Sequence, residues 1–405
     1  MKLQLKDADC EAFLLRIIET KLGDCPAHFF ITFPANERPD PAWTYLWQAG
    51  GGRGFEREPA RRAAICEALE RACLITSGPA DARVVDRDHV LSPEEHTLRW
   101  MNFSSKQLQT FGADAKNNAK AGCGIPVEKL WMDPHRISTS ERNLIPALAV
   151  LFGEDSRSGL PSVYSTSTGT AVRDTVADAA RHATLELVER DAVAIWWYNR
   201  LDARPFPPQD ARGAFPDNFS LWLSNRQRIT WHLVMPSDLP VTTVVALSAR
   251  ADGSRPAIGA SAALDPADAV RSATLEMLQG EIALVTMRAA QRGADPPPPP
   301  PLLAWSESTN AFGTPFLMGA GPPHRPEVAT FADLEDHCAE AGIEIVTVDL
   351  TRPELGVPVV KALSPQLRDW LPRFGPGRLY DVPVALGLRA TPLAETELNP
   401  VPFVI

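Results

Sequence analysis

The chain has 405 residues, 44% of them hydrophobic and 22% charged, enough for one large domain or two modest ones with an ample core. A net charge of −10 and a pI near 5.4 exclude a general basic field for nucleic acid or an anionic membrane. No run approaches the roughly 18 apolar residues of a membrane span, MKLQLKDADCEAF at the N-terminus lacks a signal-peptide core, and six cysteines are scattered without framework spacing, which together read as a reduced, cytoplasmic protein.

In chain order, residues 10–22 (CEAFLLRIIETKL) are predicted to form an amphipathic helix and His28–Phe33 a short buried strand. Ala42–Gln48 is strand-like and runs into Gly50–Gly54 (GGGRG), read as a glycine-rich turn whose backbone N–H groups can meet phosphate ahead of a helix. It is not a Walker A loop, and its Arg53 is either a phosphate contact or a solvated loop arginine. Strands and charged loops fill Leu74–Leu160, with GIPVEKLWM at 124–132, and Ser165–Thr170 (STSTGT) is a polar turn able to line a site. Trp196, Trp197 and Tyr198 continue the following helix as core residues. Trp231–Met235, Val241–Ser248 and the small-residue stretch Ala257–Ala263 read as strands, the last feeding another helix. Pro296–Pro301 is a stiff polyproline spacer that, with Ala320–Pro326, frames a loop-rich insertion at 294–327. Beyond it come a helix at Phe331–Ala341, strands at Glu344–Asp349 and Val357–Ala362, and an apolar, proline-punctuated tail at 378–405 expected to dock. The fold class expected is α+β (mixed α/β), in one domain over 1–405.

One helical pattern occurs three times. Ala60/Arg62/Ala64/Glu67/Glu70, Ala179/Arg181/Ala183/Glu186/Glu189 and Ala269/Arg271/Ala273/Glu276/Gln279 all fit A-x-R-x-A-x-x-E-x-x-[EQ]. Ala, Leu, Glu and Arg are strong helix formers, and on a helix positions i, i+4 and i+7 share a face, so both alanines and the first acid align, with the second acid or amide beside it. Solvated helix faces are the plain explanation. Against it stand the flanking Ile65, Leu69, Leu185, Leu187, Val188, Leu275 and Leu278, which bury the neighbourhood. Unit charges about 4 Å apart at an effective dielectric near 20 repel by roughly 4 kcal/mol per pair, so a buried set of glutamates calls for cations. The histidine of di-iron Glu-x-x-His boxes is missing, and zinc's Cys and His spacings are absent. An all-oxygen set suits Mg²⁺, which commonly bridges carboxylates to phosphates.

With these residues in view, the chain resembles the YcaO family over nearly its whole length. EALER at 67–71, ELVERDA at 186–192 and the E-x-x-Q of 276–279 look like its ATP and Mg²⁺ boxes, and STGTA at 167–171 is similar to the turn before the second box. VDLTRPELGVPVVKALSP at 348–365 and the closing YDVPV…LNPVPF look like its C-terminal signature. The resemblance implies a YcaO-type fold, with glutamate-bearing helices packed on β-sheets around an ATP and Mg²⁺ site. It implies ATP-dependent cyclodehydration, in which a Cys, Ser or Thr side chain of a precursor peptide adds to the preceding carbonyl and the oxygen leaves as phosphate. By that likeness Glu67, Glu70, Glu186, Glu189 and Gln279 hold the metal–phosphate assembly, Arg53, Arg71 and Arg190 contact phosphate or brace the acids, and Glu276 is a ligand or a brace. Glu186, Glu189 and Arg190 are the catalytic candidates, joined by the Ile405 carboxylate as proton acceptor, since many members end in a PxPxP-like tail. This chain carries only Pro400 and Pro402 of that motif, has Ala63 where serine is usual, and Thr168 where asparagine is common. The implied partners are the precursor peptide, a separate leader-binding protein resembling ubiquitin-activating enzymes (the first box begins by residue 60, with no leader-binding domain before it), a flavin-dependent azoline dehydrogenase and a second copy of the chain. Two rival readings are thioamide synthesis from external sulfide with a TfuA-like partner, and a scaffold that binds nucleotide or peptide without catalysis.

Overall fold

In a computed structural model, residues 15–34, 50–75, 83–86, 100–110, 130–132, 135–136, 145–152, 166–292, 298–353 and 355–404 are described. Helix α1 (Arg57–Leu74) lies flat on a strand made largely of glycine, β3 (Gly50–Gly54). A Cβ on Gly52 would stand 2.1 Å from the Ala60 carbonyl oxygen and 2.3 Å from the Ala64 nitrogen, so strand and helix backbones touch with no side chain between them. Ala60 and Ala64 are fully buried at this contact. The glycine run is therefore a strand and not the phosphate-cradling turn its composition suggested: it pairs antiparallel with β2 (His28–Pro34), and close packing is what the glycines serve.

Residues 15–20 correct the expected N-terminal helix. Leu15–Thr20 is strand β1, paired antiparallel with β2 from Leu15↔Pro34 to Thr20↔Phe29, and its β-branched Ile17, Ile18 and Thr20 suit that pairing better than an exposed helix. The expected Ala42–Gln48 strand and most of 124–132 lie outside the described residues.

A second antiparallel sheet runs in the order β12 (Ala257–Ala263), β11 (Thr242–Arg250), β10 (Arg228–Val234), β9 (Arg204–Pro205). Helix α4 (Pro266–Ala290), capped by Asp265, packs on β12 as α1 packs on β3: a Cβ on Gly259 would meet the Met277 nitrogen at 2.2 Å. A third sheet orders β6 (His135–Arg136), β13 (Val346–Asp349), β14 (Val359–Leu363) and β8 (Thr170–Val172), so the STSTGT turn leads first into a strand. A small fourth sheet joins β4 (Val84–Asp86), β5 (Leu130–Met132) and β7 (Ile145–Pro146). Every strand pair of these sheets is antiparallel and helices cover them, an α+β arrangement.

Between β12 and β14 runs α2 (Val176–Asn199), whose Thr175 cap accepts from the Asp178 N–H and whose end turns at Arg200 with φ 48°. Its last turns carry Trp196, Trp197 and Tyr198 into the largest apolar cluster, at 2% exposure or less. Helix α3 (Asp217–Asn225) buries Phe219 in the same cluster. The stretch read as loop after the prolines holds helices α5 (Pro301–Ser308) and α6 (Pro315–Met318). Helix α7 (Phe331–Glu340) opens with a Thr330–Asp333 capping box, and α8 (Arg378–Ala385) begins the tail. No helix among the described residues is long and apolar enough to cross a membrane.

Gly52→Ala is expected to lower stability by about 1–3 kcal/mol, as overpacking against backbone does. Gly54→Ala, whose Cβ would meet nothing nearer than the Ala60 Cβ at 3.4 Å, serves as control in the same urea titration. Equal midpoints for the two variants would contradict a backbone-to-backbone contact at β3.

Candidate active site

Four strand N–H groups hold the repeated glutamates. Gly51 donates to Glu67 at 2.6 Å, Ala260 to Glu276 at 2.7 Å, Ala262 to Glu189 at 3.1 Å and Val172 to Glu70 at 3.0 Å. Donor and acceptor are 16 residues apart in both the Gly51–Glu67 and Ala260–Glu276 pairs, so β3–α1 and β12–α4 are one device used twice. The alanines bring each helix down onto its small-residue strand, and the glutamate on the same face then reaches the strand backbone.

Guanidinium groups complete the set. Arg53 donates to Gln279 at 2.9 Å and to Glu276 at 2.8 Å, tying β3 to α4. Arg71 holds Glu67 at 2.5 Å one turn away on α1. Arg190 bridges Glu186, at 2.8 Å, and Glu189. All nine boxed or loop residues singled out in the described sequence, Arg53, Glu67, Glu70, Arg71, Glu186, Glu189, Arg190, Glu276 and Gln279, thus stand on strand β3 and helices α1, α2 and α4, which meet here, while Ile405 lies outside the described residues.

The electrostatics are those of crowded acids. Burial, then the charges of Glu186 and Glu67, push the Glu70 carboxyl up to about 8. Burial raises Glu189 to about 7 against the pull of Arg190, with Glu276 and Glu186 adding to the rise. Glu186 is raised by burial too, although Arg190, Lys361 and the Gly169 N–H all favour its charge. Among the described residues no three His, Cys, Asp or Glu side chains close on a point as a ready metal cage. Each carboxylate is held instead by an N–H or a guanidinium, with its neighbours near enough to repel. An all-oxygen set of this kind fits Mg²⁺, which keeps several waters and takes few protein ligands when phosphate oxygens complete its shell.

Residues outside the boxes also reach the cluster. Lys361, in the middle of the buried strand β14, is 2% exposed and donates to the Thr166 carbonyl; burial brings its amine down to about 7, opposed by Asp369 and Glu186. Asp369 accepts from Thr166 at 2.9 Å. The Trp370 ring lies 3.3 Å from the Arg190 guanidinium carbon, and its carbonyl accepts from Tyr198 at 2.5 Å. A lone lysine inside VVKAL was the available signal for Lys361; nothing in the spacing announced Trp370.

The tail reaches the same place. Phe403 is 3% exposed, its ring 5.1 Å from both Trp197 and Trp370, and the Trp197 indole donates to the Val401 carbonyl at 2.7 Å. The line of contact runs Phe403, Trp370, Arg190, then the α2 glutamates. Next to Arg190, the fully buried Asp191 takes Arg378 at 2.6 Å and the Arg368 N–H at 2.8 Å, holding the segment that carries Trp370.

Because the folded pKa of Glu70 lies above its unfolded value of 4.5, the folded state binds the extra proton between there and about 8, and stability falls as pH rises through that window. The slope from this one group approaches about 1.4 kcal/mol per pH unit. Glu70→Gln is expected to flatten the decline of the urea midpoint across that window in the ligand-free protein; an unchanged slope would count against a crowded, protonated Glu70.

The sequence matches the family model described as YcaO cyclodehydratase, ATP- and Mg²⁺-binding, over residues 51–368. No curated protein matches it. Among solved structures, a heterocyclase in complex with substrate and cofactor superposes with a TM-score of 0.79 at 22% identity, over 99% of this chain and 59% of that one. The heterocyclase TruD gives 0.66 at 27% identity, over 87% of this chain and 52% of that one. YcaO from Methanopyrus kandleri, bound with AMPPCP and Mg²⁺, gives 0.62 at 20% identity over 90% and 88%. The chain thus spans little more than half the length of the first two. Its family model covers well over half of it and its helices and sheets superpose on those of YcaO heterocyclases, so the chain belongs to the YcaO family.

Proposed function

We propose that this protein uses ATP to cyclodehydrate Cys, Ser or Thr residues of a ribosomally made precursor peptide, giving thiazolines or oxazolines. The observation that carries the reading is that glutamates from three helices lie near enough to repel one another and are braced by Arg71 and Arg190. Glu67, Glu70, Glu186, Glu189 and Gln279 would hold Mg²⁺ there, and the ion, when bound, would offset charge on the ATP phosphates.

In the proposed reaction the side-chain thiol or hydroxyl adds to the carbon of the preceding carbonyl and loses its proton. The resulting oxyanion takes the γ-phosphoryl group of ATP as the bond to ADP breaks and ADP departs, and phosphorylation turns a poor leaving group into a good one. Loss of the amide proton then forms the C=N bond as the C–O bond breaks and phosphate departs. We assign to Arg190, held between Trp370 and the α2 glutamates, the role of meeting developing negative charge. A separate leader-binding protein, an azoline dehydrogenase, self-association and a cytoplasmic setting complete the proposal. The docked tail, whose Phe403 abuts Trp370, favours cyclodehydration over thioamide synthesis.

Incubation of the precursor peptide with the protein, its leader-binding partner, ATP and Mg²⁺ is expected to remove one water mass per modified residue. Glu186→Gln is expected to lower the rate by at least about a hundredfold. A mass gain of sulfur for oxygen that requires added sulfide would replace this reading with thioamide synthesis.

Phe403→Ala is expected to cut turnover by about tenfold or more through loss of support for Trp370 and Arg190. Its global urea midpoint is expected to move less than that of a core Trp197→Ala variant. Full turnover in Phe403→Ala would remove the tail from the mechanism.

A further inference from the structure

Lys361 sits in the middle of β14, whose residues Val359–Leu363 are all buried, and is itself 2% exposed. The charged groups near it are Asp369 and Glu186, which favour its charge, and Arg373, which opposes it. Among the described residues no carboxylate comes within ion-pair distance of the ammonium, whose hydrogen bond goes to the backbone carbonyl of Thr166. A buried ammonium is costly to desolvate, and an apolar side chain of similar length commonly serves stability as well or better. A lysine kept here for one backbone carbonyl therefore serves something other than the stability of the sheet.

That carbonyl is the junction of two supports. Thr166 opens the turn into β8, where the Gly169 N–H bonds the Glu186 carboxylate and the Ala362 N–H, next to Lys361, holds the Gly169 carbonyl at 2.7 Å. The Thr166 hydroxyl donates to Asp369 at 2.9 Å, and the Leu371 N–H donates to the same carboxylate at 3.0 Å. Between Asp369 and Leu371 lies Trp370, whose ring is 3.3 Å from the Arg190 guanidinium carbon. The ammonium thus stands behind both members of the Glu186–Arg190 pair, by way of Thr166. Deepening the reading above, and resting on its ATP phosphates meeting the α2 acids, we propose that Lys361 is a positioning residue. Through Thr166 it fixes the turn that supports Glu186 and the segment that lays Trp370 on Arg190, so that this pair meets the phosphates in one orientation.

Lys361→Met keeps the length of the side chain without its charge and is expected to fold with a thermal midpoint no lower than the wild type's. In the ligand-free variant, hydrogen exchange read by mass spectrometry is expected to quicken in peptides covering Gly169 and Leu371 and to stay unchanged in those covering Val244–Leu247 of β11. With Mg²⁺ present, the fluorescent nucleotide mant-ATP is expected to bind about tenfold more weakly, while mant-AMP, which lacks the β- and γ-phosphates, binds as before. Thr166→Val cuts the link to Asp369 and leaves the carbonyl; its loss of mant-ATP affinity is expected to be smaller, and to add nothing in the double variant. Unchanged mant-ATP affinity in Lys361→Met, or losses that multiply in the double variant, would overturn the role. A lower midpoint with both nucleotides weakened alike is the result of a merely structural lysine and would overturn it too. A wild-type mixture that forms no ring counts against the cyclodehydratase proposal instead, and the exchange and nucleotide results then decide Lys361 by themselves.

Discussion

Repulsion among buried carboxylates is the constraint around which this structure is built. Glutamates at 67, 70, 186, 189 and 276 are brought close enough that burial and mutual charge raise Glu70, Glu186 and Glu189, yet none is left without a donor. Four of the donors, at Gly51, Val172, Ala260 and Ala262, are strand N–H groups, which are polar without carrying a full charge, and Arg53, Arg71 and Arg190 add charged ones. That choice keeps the site acidic enough to attract a cation while keeping each side chain in one orientation.

The helices can present these acids only because they lie so low on their strands. Ala60, Ala64, Ala269 and Ala273 are fully buried, opposite Gly50, Gly52 and Gly259, and backbone meets backbone at both contacts. Larger side chains at these positions would lift the helix and take Glu67 and Glu276 out of reach of Gly51 and Ala260. The alanines that share a face with the first acid of each box are room for a strand.

The acidic boxes were legible in the sequence because a helix turns a spacing rule into a shared face, and that holds whatever surrounds it. Trp196–Tyr198 and the strand at Ala257–Ala263 were legible for similar reasons of composition and period. GGGRG was not, because glycine signals a turn locally and its use in a strand depends on what packs above it. Residues 15–20 carry a pattern compatible with either helix or strand, and the pairing with β2 decides. Lys361, Asp369 and Trp370 come to the site through the third sheet and the segment held by Asp191, which is tertiary information absent from any local window. The polyproline run led to an expectation of loop, yet Pro301 opens α5, a position where its fixed φ and missing N–H suit a helix start.

The hydrogen bond from Arg53 to Gln279 joins residues separated by 226 positions. A centre assembled from such distant parts closes only after most of the chain has found its place, so its loop-closure entropy is met late and folding is expected to be slow for the chain's size. The acids then come together last, against their own charge, and any cation or nucleotide that binds the assembled centre draws the folding equilibrium forward by mass action. Supply of such a ligand in the cell would in this way act on the abundance of the folded protein.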